Sequence, residues 1–181
     1  MKVREAIERR RAYRAIEPIE VTDELIKDLA YHASLAPSCY NNQPWRFVFV
    51  KNREKIGELY DALSSGNSWA KKSSLIIAVY SEKDYDCIIG EREYYLFDTG
   101  MAVAFMILRA TELDLVAHPI AGYDSEMVKR ILEIPENAIL ITLIVVGKHS
   151  DEAVSKLPTR QREVELKRPP RKSFEEFAKV V

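Results

Sequence analysis

Apolar positions along the chain change spacing several times, and each change marks an element. Near the start, Val3, Ala6 and Ile7 share a helical face with Arg10, which predicts a short helix ending near Arg11. Thr22 is placed to cap a second helix, with Asp23 and Glu24 at its positive end. Leu25, Ile26, Leu29, Ala30 and Ala33 supply its apolar stripe, and Pro37 closes it. RFVFV (46–50) is aromatic and β-branched and predicts a strand. A helix from about Arg53 to Leu63 follows, with Ile56, Leu59, Tyr60 and Leu63 on one side. LIIAVY (75–80) is apolar throughout, as a strand buried on both faces must be.

The longest predicted helix runs from about Glu93 to Leu113. Apolar residues cover most of its circumference, so it belongs at the centre of the fold or in an oligomer interface. Leu115 to Ala117 reads as a brief strand and HPIAGY (118–123) as a loop before a short helix at about Ser125–Leu132. ILITLIVV (139–146) is a second buried strand, ended by Gly147. From Lys148 onward apolar periodicity fades and three prolines appear. That predicts an extended arm packed on the rest of the molecule or on a second subunit. Strands and helices mix without regular βαβ alternation, which predicts an α+β fold with a mainly antiparallel sheet.

Composition narrows the function. The 181 residues, 47% hydrophobic and 30% charged, suit one domain, 1–181, with residues 148–181 as its arm. A net charge of −1 provides no global field for nucleic acid or membrane. No apolar run has the length of a membrane span, and the basic start lacks a signal-peptide core. Cys39 and Cys87 are too few for a disulfide framework and match no zinc spacing, so a reducing, soluble, cytoplasmic setting is expected. Abundant Lys, Arg and Glu, with glutamine only at Gln43 and Gln161, lean towards a heat-loving source. Charge is nevertheless uneven. Residues 1–14 carry six basic and two acidic side chains, net +4, and residues 156–172 carry seven and two, net +5. If these ends meet, they form an anion site within a near-neutral protein.

Three segments carry candidate chemistry. Arg9-Arg10-Arg11-Ala12-Tyr13-Arg14 is either a solvated basic helix end or an anion grip, since guanidinium groups bind phosphate through paired hydrogen bonds. Tyr13 alone is thin support for nucleic-acid binding. APSCYNNQPWRF (36–47) is either turn punctuation or, through Ser38, Asn41, Asn42 and Gln43, a set of neutral groups suited to a planar heterocycle. Small Ser38 and Cys39 would let such a ring come close. His118-Pro119-Ile120-Ala121-Gly122 is either a tight turn or a set of backbone N–H groups aimed at a ligand. There is no GxGxxG, no P-loop, no metal-ligand spacing among the three histidines and no hydrolase constellation.

Taken together these segments resemble the nitroreductase family of flavin mononucleotide (FMN) enzymes. RRRAYRAI (9–16) resembles its opening Arg-x-Ser-x-Arg stretch, and APSCYNNQPWRF its Pro-Ser-x-x-Asn-x-Gln-Pro-Trp loop. NSWAKKSSLIIAVY (67–80), DTGMAVAFMILRATELDL (98–115), HPIAGY, ITLIVVGK (141–148) and PPRKSFEEF (169–177) follow in the family's order. The resemblance implies a homodimer in which Pro37, Ser38, Cys39 and Asn41 touch flavin bound mainly by the other chain. It implies phosphate contacts at Arg10 and Arg171, with Arg11 and Ala12 beside them, and Arg14 near the pyrimidine end of the flavin. Asn67 matches an amide at the ring edge, and Ala121 and Gly122 match backbone groups near the reactive nitrogen. NAD(P)H would be the electron donor and a nitroaromatic or quinone the acceptor, in ping-pong order, with no side-chain acid or base required. Two departures stand out: Ala12 replaces the family's serine, and the short stretch between Tyr80 and Glu93 leaves little to cover the pocket. Dehalogenation, dehydrogenation or flavin fragmentation on the same scaffold, and a nucleic-acid-binding module, are the rival expectations.

Overall fold

The structure is a computed structural model describing residues 1–181. Its hub is β7 (Ile139–His149), which pairs antiparallel with β3 (Leu75–Ser81), β6 (Val116–Ile120) and β1 (Ile16–Glu17). On its other edge β3 pairs antiparallel with β2 (Arg46–Val50), from Arg46↔Tyr80 to Val50↔Ile76. This sheet is antiparallel throughout, as the irregular alternation of elements predicted, and β4 (Ile88–Ile89) and β5 (Arg92–Glu93) form a separate antiparallel pair.

The uninterrupted apolar runs of β3 and β7 are divided by the two-residue period of a strand. Ile76, Ala78, Leu143 and Val145 face one core, with Ile56 and Leu59 of α3 (Arg53–Ala62) and Val128 of α5 (Ser125–Leu132). Leu75, Ile77, Val79, Ile144 and Val146 face the other, with Leu29 and Ala33 of α2 (Asp23–Ser34) and Ala102, Met106 and Ala110 of α4 (Tyr94–Glu112). A strand with a core on each face cannot show polar alternation, which is why both runs read as buried strands. The helix boundaries follow their caps: Thr22 Oγ1 accepts from Leu25 N at 3.1 Å, and Asn52 Oδ1 from Lys55 N at 3.0 Å. Arg109 of α4 joins α2 by a paired contact to Asp28, at 2.7 and 3.1 Å.

Four expectations need correction. His118, Pro119 and Ile120 belong to β6 rather than to a loop, with His118 opposite Val145 and Ile120 opposite Leu143. Proline is tolerated because β6 pairs with β7 alone, and Pro119, which has no N–H to donate, is exposed. The first helix, α1 (Val3–Arg9), ends at the first residue of the basic cluster, two residues before the predicted Arg11, and buries only Ala6. Val3 and Ile7 are 72% and 54% exposed. The arm is not wholly extended: it forms α6 (Asp151–Val154), α7 (Thr159–Leu166) and α8 (Phe174–Phe177). Cys39 and Cys87 are joined by a disulfide. A single bridge is no framework, but it removes the argument for a reducing setting that rested on unpaired cysteines. No helix is long and apolar enough to cross a membrane.

Candidate functional site

The chain leaves α1 at Arg10, whose φ of −54° and ψ of 124° turn the backbone from helix to extended strand. The extended segment Arg10–Ala15 then runs beside the C-terminal arm, and the two basic ends meet there. Arg10, Arg11, Ala12 and Arg14 line one cavity with Arg168, Pro169 and Arg171; its volume is about 340 Å³. Not one of these five arginines pairs with a carboxylate. Arg11 Nη2 donates to the Val164 carbonyl at 2.7 Å, and Arg168 Nη2 donates to the carbonyls of Glu8 and Arg10 at 2.6 and 2.9 Å. Those bonds fix position while leaving the positive charge uncompensated. Burial, followed by the charges of Arg168 and Arg171, pulls the Arg10 guanidinium below its ordinary pKa. A protein holds cations together without acids where an anion is to be bound.

Two side chains outside the expected set hold this segment. Glu165, the buried residue of α7, accepts from Arg14 N at 3.0 Å and from Ala15 N at 2.8 Å. Its carboxylate therefore satisfies two backbone donors that no strand or helix partner takes up. The only hint in the sequence was an acidic residue within a strongly basic stretch. His118 holds the other side, its Nδ1–H donating to the Tyr13 carbonyl at 2.9 Å while its ring stacks on Trp69 at 4.7 Å. Burial, with smaller contributions from Arg14 and Arg10 and an opposing one from the Tyr13 bond, lowers the His118 pKa to about 4.

Arg14 also lines a second cavity, of about 170 Å³, with Ser68, Trp69 and Lys72. Asn67 lies next to it and donates through Nδ2 to the Gly122 carbonyl at 2.9 Å, so the amide and the end of β6 come together as one unit. A Cβ at Gly122 would lie 2.8 Å from Asn67 Nδ2 and 3.1 Å from Ser64 Oγ, so any larger residue here would displace the Asn67 amide. Ala121 is exposed and Gly122 partly so.

The loop Pro37–Gln43 is mounted elsewhere. It hangs from the N-terminal half of α4, where Asp98 Oδ2 accepts from Cys39 N at 2.6 Å, and from residues 86–87 through the disulfide and the Asn42–Asp86 bond. Tyr40, Asn41 and Gln43 have φ of 49°, 59° and 50°, a left-handed conformation that costs non-glycine residues energy. The Ser38 hydroxyl accepts from Gln43 N at 3.0 Å and closes the loop on itself. Pro37, Tyr40 and Asn41 point their surfaces outward, and Tyr40 is 91% exposed. Within one chain the arginine cavity and this loop are built on separate elements. Arg10, Arg11, Ala12, Arg14 and Arg171 are brought together, Asn67, Ala121 and Gly122 form a neighbouring group, and Pro37, Ser38, Cys39 and Asn41 stand apart.

Known proteins resemble this chain over most of its length. A protein of Methanothermobacter thermautotrophicus named for NADH dehydrogenase and NAD(P)H nitroreductase is 30% identical over 151 residues, covering 81% of this chain and 77% of its own. A solved structure described as an oxidoreductase containing FMN is 29% identical with a TM-score of 0.78, covering 88% of this chain and 82% of that one. The nitroreductase family protein of Streptococcus pneumoniae, at 21% identity, shares the fold with a TM-score of 0.79 over 99% of this chain and all of its own. The sequence profile of the Nitroreductase family matches residues 7–92 and 67–148, which is most of the chain. The protein therefore belongs to the nitroreductase family of oxidoreductases.

Proposed function

We propose that the protein is an FMN-dependent oxidoreductase that takes electrons from NAD(P)H and passes them to an organic acceptor such as a nitroaromatic or a quinone. The observation that carries this reading is the cavity of five arginines without a carboxylate partner, which suits the phosphate of FMN. FMN, when bound, supplies the two-electron transfer between nicotinamide and acceptor. The residues of the chain bind, orient and tune. Arg10 and Arg171 hold the phosphate, with Arg11, Ala12 and Arg168 around it. Arg14, at the junction of two cavities, places positive charge where the reduced ring system gathers negative charge. Asn67, Ala121 and Gly122 border the ring edge. Donor and acceptor use the same open face in turn, a ping-pong order that needs no side-chain acid or base.

The isolated loop Pro37–Asn41 supports a homodimer in which each chain completes its partner's site, with residues 148–181 contributing to the contact. The whole chain then acts as one unit. Apolar residues of α1, α4 and the end of α2 converge on a groove of about 330 Å³ lined by Val3, Ala6, Leu35, Phe105 and Leu108, a surface suited to burial between subunits.

Visible absorbance tests the reading directly. The purified protein is expected to bind FMN with a perturbed flavin spectrum that bleaches on anaerobic addition of NADH or NADPH. Arg10→Ala and Arg171→Ala are each expected to weaken FMN binding by about 1.5–3 kcal/mol, the worth of a charged hydrogen bond. No flavin bound at excess FMN would remove the central claim. Unchanged affinity in both variants would remove these arginines from the phosphate site.

A further inference from the structure

Glu165 is 4% exposed, and its carboxylate is bonded to two backbone N–H groups, those of Arg14 and Ala15. Neutral donors alone leave a buried carboxylate short of compensation, because its charge has been taken out of water. The one ion-pair contact of Glu165 is with His149, whose Nε2 lies 3.6 Å from Oε1. That nitrogen is itself buried with no hydrogen-bond partner. Two polar groups in need of a partner thus face each other, and a proton on Nε2 of a charged ring answers both. The ring is held in place: His149 sits opposite Ile16 in the β1–β7 ladder, Ser150 N donates to the Ala15 carbonyl at 2.9 Å, and the imidazole stacks on Tyr13 at 4.0 Å.

Other charges near His149 are weaker influences. Asp151 Oδ1 lies 3.8 Å from Nδ1, but its side chain is 99% exposed and solvent screens it. His149 and Tyr13 also line a cavity of about 420 Å³ with Glu8, Arg9, Arg11, Asp114 and Arg168. Arg9 pairs with Asp114. Arg11 and Arg168, engaged on backbone carbonyls, oppose a charge on His149 through solvent, whereas Glu165 favours it from the buried side, where electrostatics are stronger.

We propose that His149 is a positioning residue for the arginine cavity: once protonated, it donates from Nε2 to Glu165 and locks the segment Arg10–Ala15 in its phosphate-holding form. Glu165 Oε1 is the oxygen that Arg14 N and Ala15 N share, so the imidazolium fixes the acceptor on which the segment hangs. Arg10, Arg11 and Arg14 ride on that segment and line the cavity with Arg168 and Arg171. The folded segment favours protonated His149, so its contribution is present at low pH and is lost as the pH rises through about 5 to 8, where imidazoles change charge. This runs opposite to His118, which burial keeps neutral down to about pH 4. The inference rests on reading the arginine cavity as the FMN phosphate site.

The test measures FMN dissociation constants by quenching of flavin fluorescence at about pH 5.5 and about pH 8, with riboflavin as the ligand lacking phosphate. His149→Gln keeps an amide in place of the ring and cannot be charged. Its FMN dissociation constant relative to wild type is expected to be at least about fivefold larger at the lower pH than at the higher. Taking this ratio cancels the titration of the phosphate itself. Glu165→Gln keeps an acceptor for the two backbone donors and removes the charge, so in that background the same ratio is expected to be equal at both pH values. Unfolding free energies of the flavin-free chain provide a second readout, in which the wild type should lose stability relative to His149→Gln as the pH rises. Equal ratios in the wild-type background, with FMN still preferred to riboflavin, would overturn the role of His149. A pH-dependent ratio that persisted without the Glu165 charge would overturn it too, as would parallel stability curves. FMN bound no more tightly than riboflavin would instead remove the phosphate site, and the proposal with it.

Discussion

At the scale of single residues, the site depends on groups that hold other groups in place. Glu165 accepts hydrogen bonds from two adjacent backbone N–H groups of the segment bearing the arginines. Glu165→Ala strands those donors, so it is expected to cost about 1–3 kcal/mol of stability and to weaken FMN binding along with it. Chemical denaturation and a flavin titration measure the two effects; loss of neither would mean that the segment holds itself. His118 makes a prediction about pH. Its pKa is lowered from 6.5 to about 4 in the folded chain, so between these values the unfolded chain binds the extra proton and the folded chain does not. Stability from this group is therefore complete above about pH 6.5 and falls away as the pH drops towards about 4, by on the order of 3 kcal/mol in all. His118→Asn keeps a donor for the Tyr13 carbonyl but does not titrate. Unfolding free energies of the two proteins should therefore diverge over this range, and parallel curves would contradict the assignment.

At the scale of elements, most of what the hydrophobic pattern predicted is present because the two main strands have a core on each face. Runs such as LIIAVY and ILITLIVV have one stable solution, and the helices at 23–34, 53–62 and 94–112 pack where their stripes point. The misread element was β6, since a His-Pro pair looks like a turn until a neighbouring strand supplies the pairing. Where β1 crosses β7 there is little spare room. A Cβ on Gly147 would lie 3.0 Å from the Glu17 carbonyl oxygen and 3.1 Å from the Ile16 side chain. Gly147→Ala is thus expected to push β1 away and destabilise the fold by about 1–3 kcal/mol. A thermal midpoint equal to that of the wild type would show that β1 shifts freely.

At the scale of the whole molecule, the surface carries more apolar area on one side than a lone subunit needs. Val3 on α1, Tyr31 and Leu35 on α2, and Phe97 and Phe105 on α4 are all more than two-fifths exposed. A homodimer formed through this side would also bring each loop Pro37–Asn41 to a neighbouring chain. Phe105→Asp is expected to yield monomers by light scattering with normal circular dichroism, and to lose FMN affinity because half of each site departs with the partner. A wild-type protein that is monomeric at working concentration would contradict both parts.

The sequence alone determined the three long strands at 46–50, 75–80 and 139–146, most of the helices, the α+β class and the likeness to a family, because each rests on local spacing or on a contiguous motif. It also showed two basic ends, and could say only what would follow if they met. Their meeting was decided by tertiary structure: residues 10–14 and 164–171 converge through Glu165 and Arg168, contacts more than 150 residues apart in the chain. The pairing of Cys39 with Cys87, 48 residues apart, was decided in the same way, as was the burial of Asp98 against it. Local periodicity reports which face of an element is apolar. It carries no information on which distant polar groups will share a pocket, since that depends on how the packed layers bring their edges together.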